Sequence, residues 1–121
     1  MTEEIAWYVE LTVKTGQLAN FLSLTGEMVA ATRAEKGVLS YQRFVTEDGQ
    51  SVHLYEKYVD ADAAVSHLRR FVESFGERFA SMVERRRFTV FGVPNVELRT
   101  MLVPYRAIFL EPLGSFAYWS G

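Results

Sequence analysis

With 121 residues and a formal net charge of −2, the chain is long enough for one domain with a real core and too short for two. The near-neutral balance gives no global attraction for nucleic acid, and the absence of cysteine removes disulfides, thiolate nucleophiles and thiolate metal sites. The acidic start, MTEEIAWYVE, lacks a signal-peptide pattern and no apolar run nears membrane-spanning length, so a cytoplasmic protein with no membrane partner is expected.

Ile5 to Val13 reads as the first strand, with Ile5, Trp7, Val9, Leu11 and Val13 on a core face and Ala6, Tyr8, Glu10 and Thr12 opposite. Thr15 is placed to cap a helix, along which Leu18, Phe21, Leu22, Thr25, Met28, Val29 and Thr32 recur at helical spacing. Gly37 suits a left-handed C-cap. Val38 to Val45 and Ser51 to Val59 form a hairpin around TEDGQ, whose Asp48-Gly49 pair favours a reversal. Neither face of this hairpin is plainly polar, which predicts a strand pair with neighbours on both sides. On its second strand Leu54, Glu56 and Tyr58 look toward the helices, while His53, Tyr55 and Lys57 look the other way, toward another subunit.

Asp60 is placed to cap a second helix, with Ala64, Leu68, Phe71, Val72, Phe75, Phe79 and Met82 as its apolar stripe and Gly76 as a possible break. The segment ERFASMVERRR continues that helix, ending in arginines that suit a helix C-terminus. Phe88 to Val93 is a further strand, Asn95 caps a short helix from Val96 to Val103, and Ala107 to Leu110 is a short final strand. The rings Phe116, Tyr118 and Trp119 predict a tail that packs on its own domain or on a partner, with 104–121 an extension at a dimer interface.

The order strand, helix, strand, strand, helix, strand is that of an α+β, ferredoxin-like split βαβ fold with a four-stranded antiparallel sheet. Helices would then cover one face only, and a second copy packed sheet to sheet about a twofold axis would cover the other, giving a dimeric α+β barrel. The single domain spans 1–121, and nine Phe, six Tyr and two Trp favour an aromatic-lined pocket, a subunit interface, or both.

Chemical motifs are sparse. No phosphate-binding glycine loop, HExxH or metal-ligand spacing is present, so no cofactor is expected. With only His53 and His67, a three-histidine metal site within one chain is excluded. No serine sits on a glycine-flanked elbow, and Glu10, Glu56 and Glu111 lie on separate segments, which suits glycoside chemistry poorly. His67 lies beside the apolar position Leu68, where an imidazole can take a proton from a phenol; its plainer use is a half-buried structural histidine. Tyr58 either lines a pocket between sheet and helices or is a core tyrosine bonded to backbone. The arginines at 69–70 and 85–87 read first as a solvated face and second as anion steering.

Glu35, Gly37 and Tyr41 in EKGVLSY, Tyr55, Glu56 and Tyr58 in LYEKY, Ala61, Ala64 and His67 in DADAAVSH, and the tail FLEPLG together resemble the antibiotic biosynthesis monooxygenase family over about residues 5 to 116. The resemblance implies the same dimeric barrel and, in the quinol-oxidising branch, oxidation of a quinol or polyphenol by oxygen without flavin or metal. It implies His67 and Tyr58 as catalytic residues, Leu54, Glu56, Phe71 and Phe75 as pocket residues, a small aromatic ligand and a homodimer. Leu54 stands where the polyketide oxygenases of this family carry an asparagine, and Tyr58 where they carry a tryptophan. Phe75 and Phe79 occupy the region where the haem-degrading branch carries its iron ligand, which argues against haem. A non-catalytic ligand-binding protein and an oxygen-independent isomerase or cyclase remain alternatives on such a scaffold.

Overall fold

The computed structural model describes residues 3–117. β1 (Ile5–Val13), α1 (Leu18–Arg33), β2 (Val38–Val45), β3 (Ser51–Tyr58), α2 (Ala61–Ser74), α3 (Gly76–Met82) and β4 (Val83–Phe91) follow in order. Then come α4 (Val96–Leu102), a 3-10 turn at Val103–Tyr105, and β5 (Ile108–Leu110). The strands form one sheet in the order β2-β3-β1-β4-β5, antiparallel except for the parallel pair β4–β5.

The sequence-based expectation of a four-stranded, purely antiparallel sheet closed into a dimeric barrel is therefore corrected. The sheet has five strands, is mixed, and is open, with β2 and β5 as its edges. The physical reason lies in α4. It carries the chain back along the sheet, so the three-residue β5 returns beside β4 in the same direction, pairing Thr89–Phe91 with Ile108–Leu110.

β1 is central and alternates strictly, with Ile5, Trp7, Val9 and Leu11 buried. These residues pack with Val52, Leu54 and Tyr58 of β3, Phe88 and Val90 of β4, Phe21, Leu24 and Met28 of α1, and Ala64, Val65 and Leu68 of α2. All helices thus contribute to one core on one face of the sheet. The opposite face carries Tyr8, Glu10, His53, Tyr55 and Lys57, each partly exposed.

Local signals explain most element boundaries. Asp48 Oδ1 accepts from Gln50 N at 3.0 Å and Thr46 Oγ1 at 2.7 Å, and Gly49, at φ 72, closes the hairpin turn. Asp60 Oδ1 accepts from Ala63 N at 2.9 Å, and Asn95 Oδ1 from Leu98 N at 2.8 Å, capping α2 and α4. Gly76 begins α3.

Three boundaries differ from the expectation. α1 begins after Gln17 with no side-chain cap, because a turn at 14–17 closes on Lys14 O, so Thr15 is not its cap. It ends at Arg33, and Gly37 serves close packing instead of a C-cap: a Cβ there would lie 2.5 Å from Ala63 Cβ. Arg85, Arg86 and Arg87 lie on β4 and not on a helix, because Val83–Arg87 finds its partners on β1. Of the aromatic tail, Phe116 is exposed, and Tyr118 and Trp119 lie outside the described residues. Among the described residues no helix is long and apolar enough to cross a membrane.

Gly37→Ala is expected to push α2 off β2 and destabilise the chain by about 1–3 kcal/mol in urea titration. Ala63→Gly in the same chain should recover most of the loss, because it removes the atom that the new methyl meets.

Candidate active site: a buried carboxylate at the end of an aromatic cavity

β3 alternates so that Leu54, Glu56 and Tyr58 all point toward the helices. Glu56 is thereby a carboxylate only 5% exposed in the middle of an apolar core. Four neighbours surround it. Trp7 Nε1 of β1 donates to Glu56 Oε1 at 2.9 Å, and Tyr58 Oη donates to the same oxygen in a short hydrogen bond. Arg43 Nη2 of β2 donates to Oε2 at 2.7 Å, and His67 Nε2 of α2 lies 3.6 Å from Oε1.

Burial alone would raise the pKa of Glu56. The Arg43 and His67 charges and the Tyr58 hydrogen bond outweigh it and hold the carboxyl below its ordinary range. The tyrosines move the opposite way. Burial, reinforced by the Glu56 charge, raises Tyr58 well above the ordinary phenol value. Burial pushes Tyr41 up to about 12 despite Arg43, whose guanidinium carbon stands 3.3 Å from the ring centroid. Both tyrosines are neutral phenols at neutral pH and act as donors, not bases.

His67 is 4% exposed and held from both sides. Its Nδ1 lies 3.2 Å from both carboxylate oxygens of Glu35, and its Nε2 faces Glu56. The rings of Tyr41 and Tyr58 flank it at centroid distances of 5.5 and 5.3 Å. A carboxylate on Nδ1 fixes the orientation of the imidazole and turns Nε2 toward Glu56. Glu35 connects outward to the exposed Arg70, 3.6 Å away.

A cavity of about 40 Å³ abuts this cluster. Glu56, His67 and Arg43 form its polar end, Leu54, Leu68 and Phe71 part of its apolar wall, and Arg85 and Tyr105 its outer end. The Nε of Arg43, a residue of the cavity lining, is buried without a hydrogen-bond partner. Tyr105 stacks on Phe88 at 5.7 Å and 13°, so the segment after α4 closes the outer end.

The residues expected from the sequence divide as follows. His67, Glu56, Leu54 and Phe71 come together around the cavity. Tyr58 stands behind Glu56, fully buried and off the cavity wall, and Phe75 sits at the α2–α3 junction under the Arg78 guanidinium. Sequence reasoning did not place Trp7, Arg43, Glu35 or Tyr105 at this cavity, and it reached Arg85 only through its second reading of the arginines, as anion steering. The signal for Arg43 was present: counted from the turn, Arg43 and Glu56 share the inward face of one hairpin, where opposite charges must pair. No described group of three or more His, Cys, Asp or Glu residues is placed to hold a metal ion.

Residues 5–85 match the family described as antibiotic biosynthesis monooxygenase. The chain belongs to that family. No curated protein matches it in sequence. Among solved structures, MupZ from Pseudomonas fluorescens is similar with a TM-score of 0.87 and 23% identity, over 98% of this chain and 91% of that one. SnoaB, a cofactor-independent oxygenase from Streptomyces nogalater, is similar with a TM-score of 0.66 and 16% identity, over 78% of this chain and 97% of its own. A conserved protein from Methanosarcina mazei Go1 gives a TM-score of 0.66 at 14% identity, over 74% of this chain and 91% of its own. These likenesses establish a shared fold. The family match ends before Tyr105, so the closing segment of the cavity lies outside the matched region.

Removing the Glu56 charge strands Arg43 in the core, so Glu56→Gln is expected to cost about 3–5 kcal/mol by urea denaturation. The depressed folded value of Glu56 gives a definite pH dependence. Its stabilisation is complete above the ordinary value of 4.5 and is lost as pH falls from there through the lower folded value. Acid titrations of wild type and Glu56→Gln should accordingly converge below pH 4.5.

Proposed function

We propose that the protein is a cofactor-independent monooxygenase that oxidises a quinol or other electron-rich phenol with molecular oxygen. The observation that carries this reading is the pairing of His67, oriented by Glu35, with the unpartnered N–H of Arg43 at the end of one ring-walled cavity. His67 is the base that takes the phenolic proton, and the Arg43 guanidinium receives the oxyanion that results. The electron-rich anion reduces oxygen and combines with it at a ring carbon. One oxygen atom stays on the ring, as a carbonyl on a phenol or as a hydroxyl on a quinol that is itself oxidised to the quinone, and the other leaves as water, so the substrate supplies all the electrons. Tyr58 acts behind this pair, holding Glu56 in place.

Cavity size narrows the substrate. At about 40 Å³ the closed cavity holds a few water-sized molecules and is smaller than the ~150 Å³ that admits a benzene ring. A polycyclic phenol does not fit in this closed state. A single-ring quinol enters from the outer end when Tyr105 and Arg85 swing aside, because these residues, unlike Trp7 and Glu56, reach the surface. The protein works as a homodimer in this reading. The face of the sheet away from the helices carries Phe44 at 55% exposure and Phe91 at 41%, large rings that a partner would cover.

One observation favours a second reading. The Glu35–His67–Arg43 arrangement is complete as an acid–base device without oxygen, so a proton-transfer isomerase or cyclase acting through an enolate uses the same groups.

Oxygen uptake with a panel of substituted hydroquinones tests the first reading. His67→Ala should lower kcat by about 10²–10⁴ with a smaller effect on KM. Glu35→Gln should lower kcat less and shift the pH profile. Turnover that persists under nitrogen would replace the oxygenase by the isomerase. A sedimentation mass near 13.8 kDa, that of one chain, would remove the homodimer.

A further inference from the structure

β4 carries Arg85, Arg86 and Arg87 in succession, and Arg106 faces them across a cleft of about 440 Å³. The cleft exists because β5 pairs only with Thr89–Phe91, which leaves the first half of β4 a free edge below the turn that carries Pro104 and Arg106. A β-bulge distributes the arginines. Glu10 pairs with Arg87 and Leu11 with Arg85, so Arg86 is the extra residue, and the strand kinks where the charges lie. Arg85 is thereby turned to the core side, where its guanidinium carbon stands 4.3 Å from the Tyr105 ring centroid.

The charges in this cleft are poorly compensated. Arg86 alone has an anionic partner, Glu84 at 2.8 Å, and it also donates to Thr12 Oγ1 at 2.8 Å. Arg85 rests on a ring, and the side chains of Arg87 and Arg106 have neither hydrogen bond nor ion pair among the described residues. Burial pushes Arg85 below the ordinary arginine value, as expected for a guanidinium drawn partly out of water without a carboxylate. Arg106 also holds a left-handed backbone at φ 55, the only described residue other than glycine with positive φ. Such a concentration is out of keeping with a chain of net charge −2.

The cleft adjoins the cavity, and Arg85, Phe88 and Tyr105 line both. We propose that the arginine cleft is an oxyanion subsite that binds a phosphate or carboxylate carried at one end of the substrate, whose other end reaches the cavity at His67 and Glu56. Guanidinium groups converging on one cleft match the paired oxygens of such groups, and binding there would draw Arg85 away from Tyr105 and open the outer end of the cavity. The role of the anion as part of the substrate rests on the function proposed above; anion binding itself does not. A competing use of these arginines is to guard the free edge of β4 against pairing with another chain.

The test is isothermal titration of the full chain at low salt with inorganic pyrophosphate and, separately, with succinate. Saturable binding of one anion per chain is expected, and the tighter of the two identifies the group as phosphate or carboxylate. Arg87→Gln with Arg106→Gly should weaken it about tenfold or more, the order expected when a charge-assisted hydrogen bond is lost. Arg106→Gly keeps the left-handed backbone, and the single Arg87→Gln variant serves if the double variant misfolds. Arg69→Gln, whose arginine pairs with Glu97 outside the cleft, should bind as wild type does. Absence of saturable binding for both anions overturns the subsite, as does unchanged affinity in the double variant. Unchanged affinity together with new self-association would assign the arginines to guarding the edge. A chain that binds an anion but consumes no oxygen keeps the subsite and loses the oxygenase.

Discussion

A carboxylate shut inside an apolar core is costly unless opposite charge and hydrogen bonds meet it there, and Glu56 meets four partners drawn from four elements. Trp7 comes from β1, Arg43 from β2, Tyr58 from β3 and His67 from α2. Each partner reaches Glu56 only if its own strand or helix is in register, so the arrangement ties three strands and a helix to one point. Breaking any single contact leaves a polar group stranded in the core. The geometry that settles the fold also builds the site, because the partners that neutralise Glu56 include the groups that face the cavity.

The same cluster divides the chemistry among its members. Tyr41 and Tyr58 are held as neutral phenols by burial, so they stabilise charge and do not take protons. Glu56 stays ionised and is committed to its donors. That leaves His67, buttressed by Glu35, as the imidazole on the cavity lining, and Arg43 as the cation with a donor to spare. An acid–base pair with a cation at the blind end of an apolar cavity is well suited to drawing a proton from a weak acid and holding the anion.

The outer end of the cavity is formed by the segment after β4. α4 returns the chain to the sheet, places Tyr105 on Phe88 at the cavity's outer end, and adds β5 for only part of the length of β4. Because β5 is so short, the arginine-bearing half of β4 has no neighbour on that side. One short extension therefore forms the outer end of the cavity and leaves a charged cleft beside it.

Much of this was legible in the sequence because it is local. Alternation placed Leu54, Glu56 and Tyr58 on the helix side of β3, and Asp60 and Asn95 announced their helices by capping chemistry that acts within three residues. Asp48-Gly49 announced the turn for the same reason. What failed depended on partners distant in the chain. ERRR carries good helix formers and became strand because β1 offered it a hydrogen-bonding edge. The short strand IFL was marked from its apolar run, but nothing local to it says that it pairs in parallel with β4 and makes the sheet five-stranded, mixed and open. His67 was visible as a candidate, but Glu35 and Arg43 acquired their roles only when the hairpin and α2 folded over Glu56. The sequence determined which residues face inward, since that follows from a period of two or of 3.6. Only the tertiary structure decided which of them meet, because burying one carboxylate requires partners that the chain supplies from positions 7 to 67.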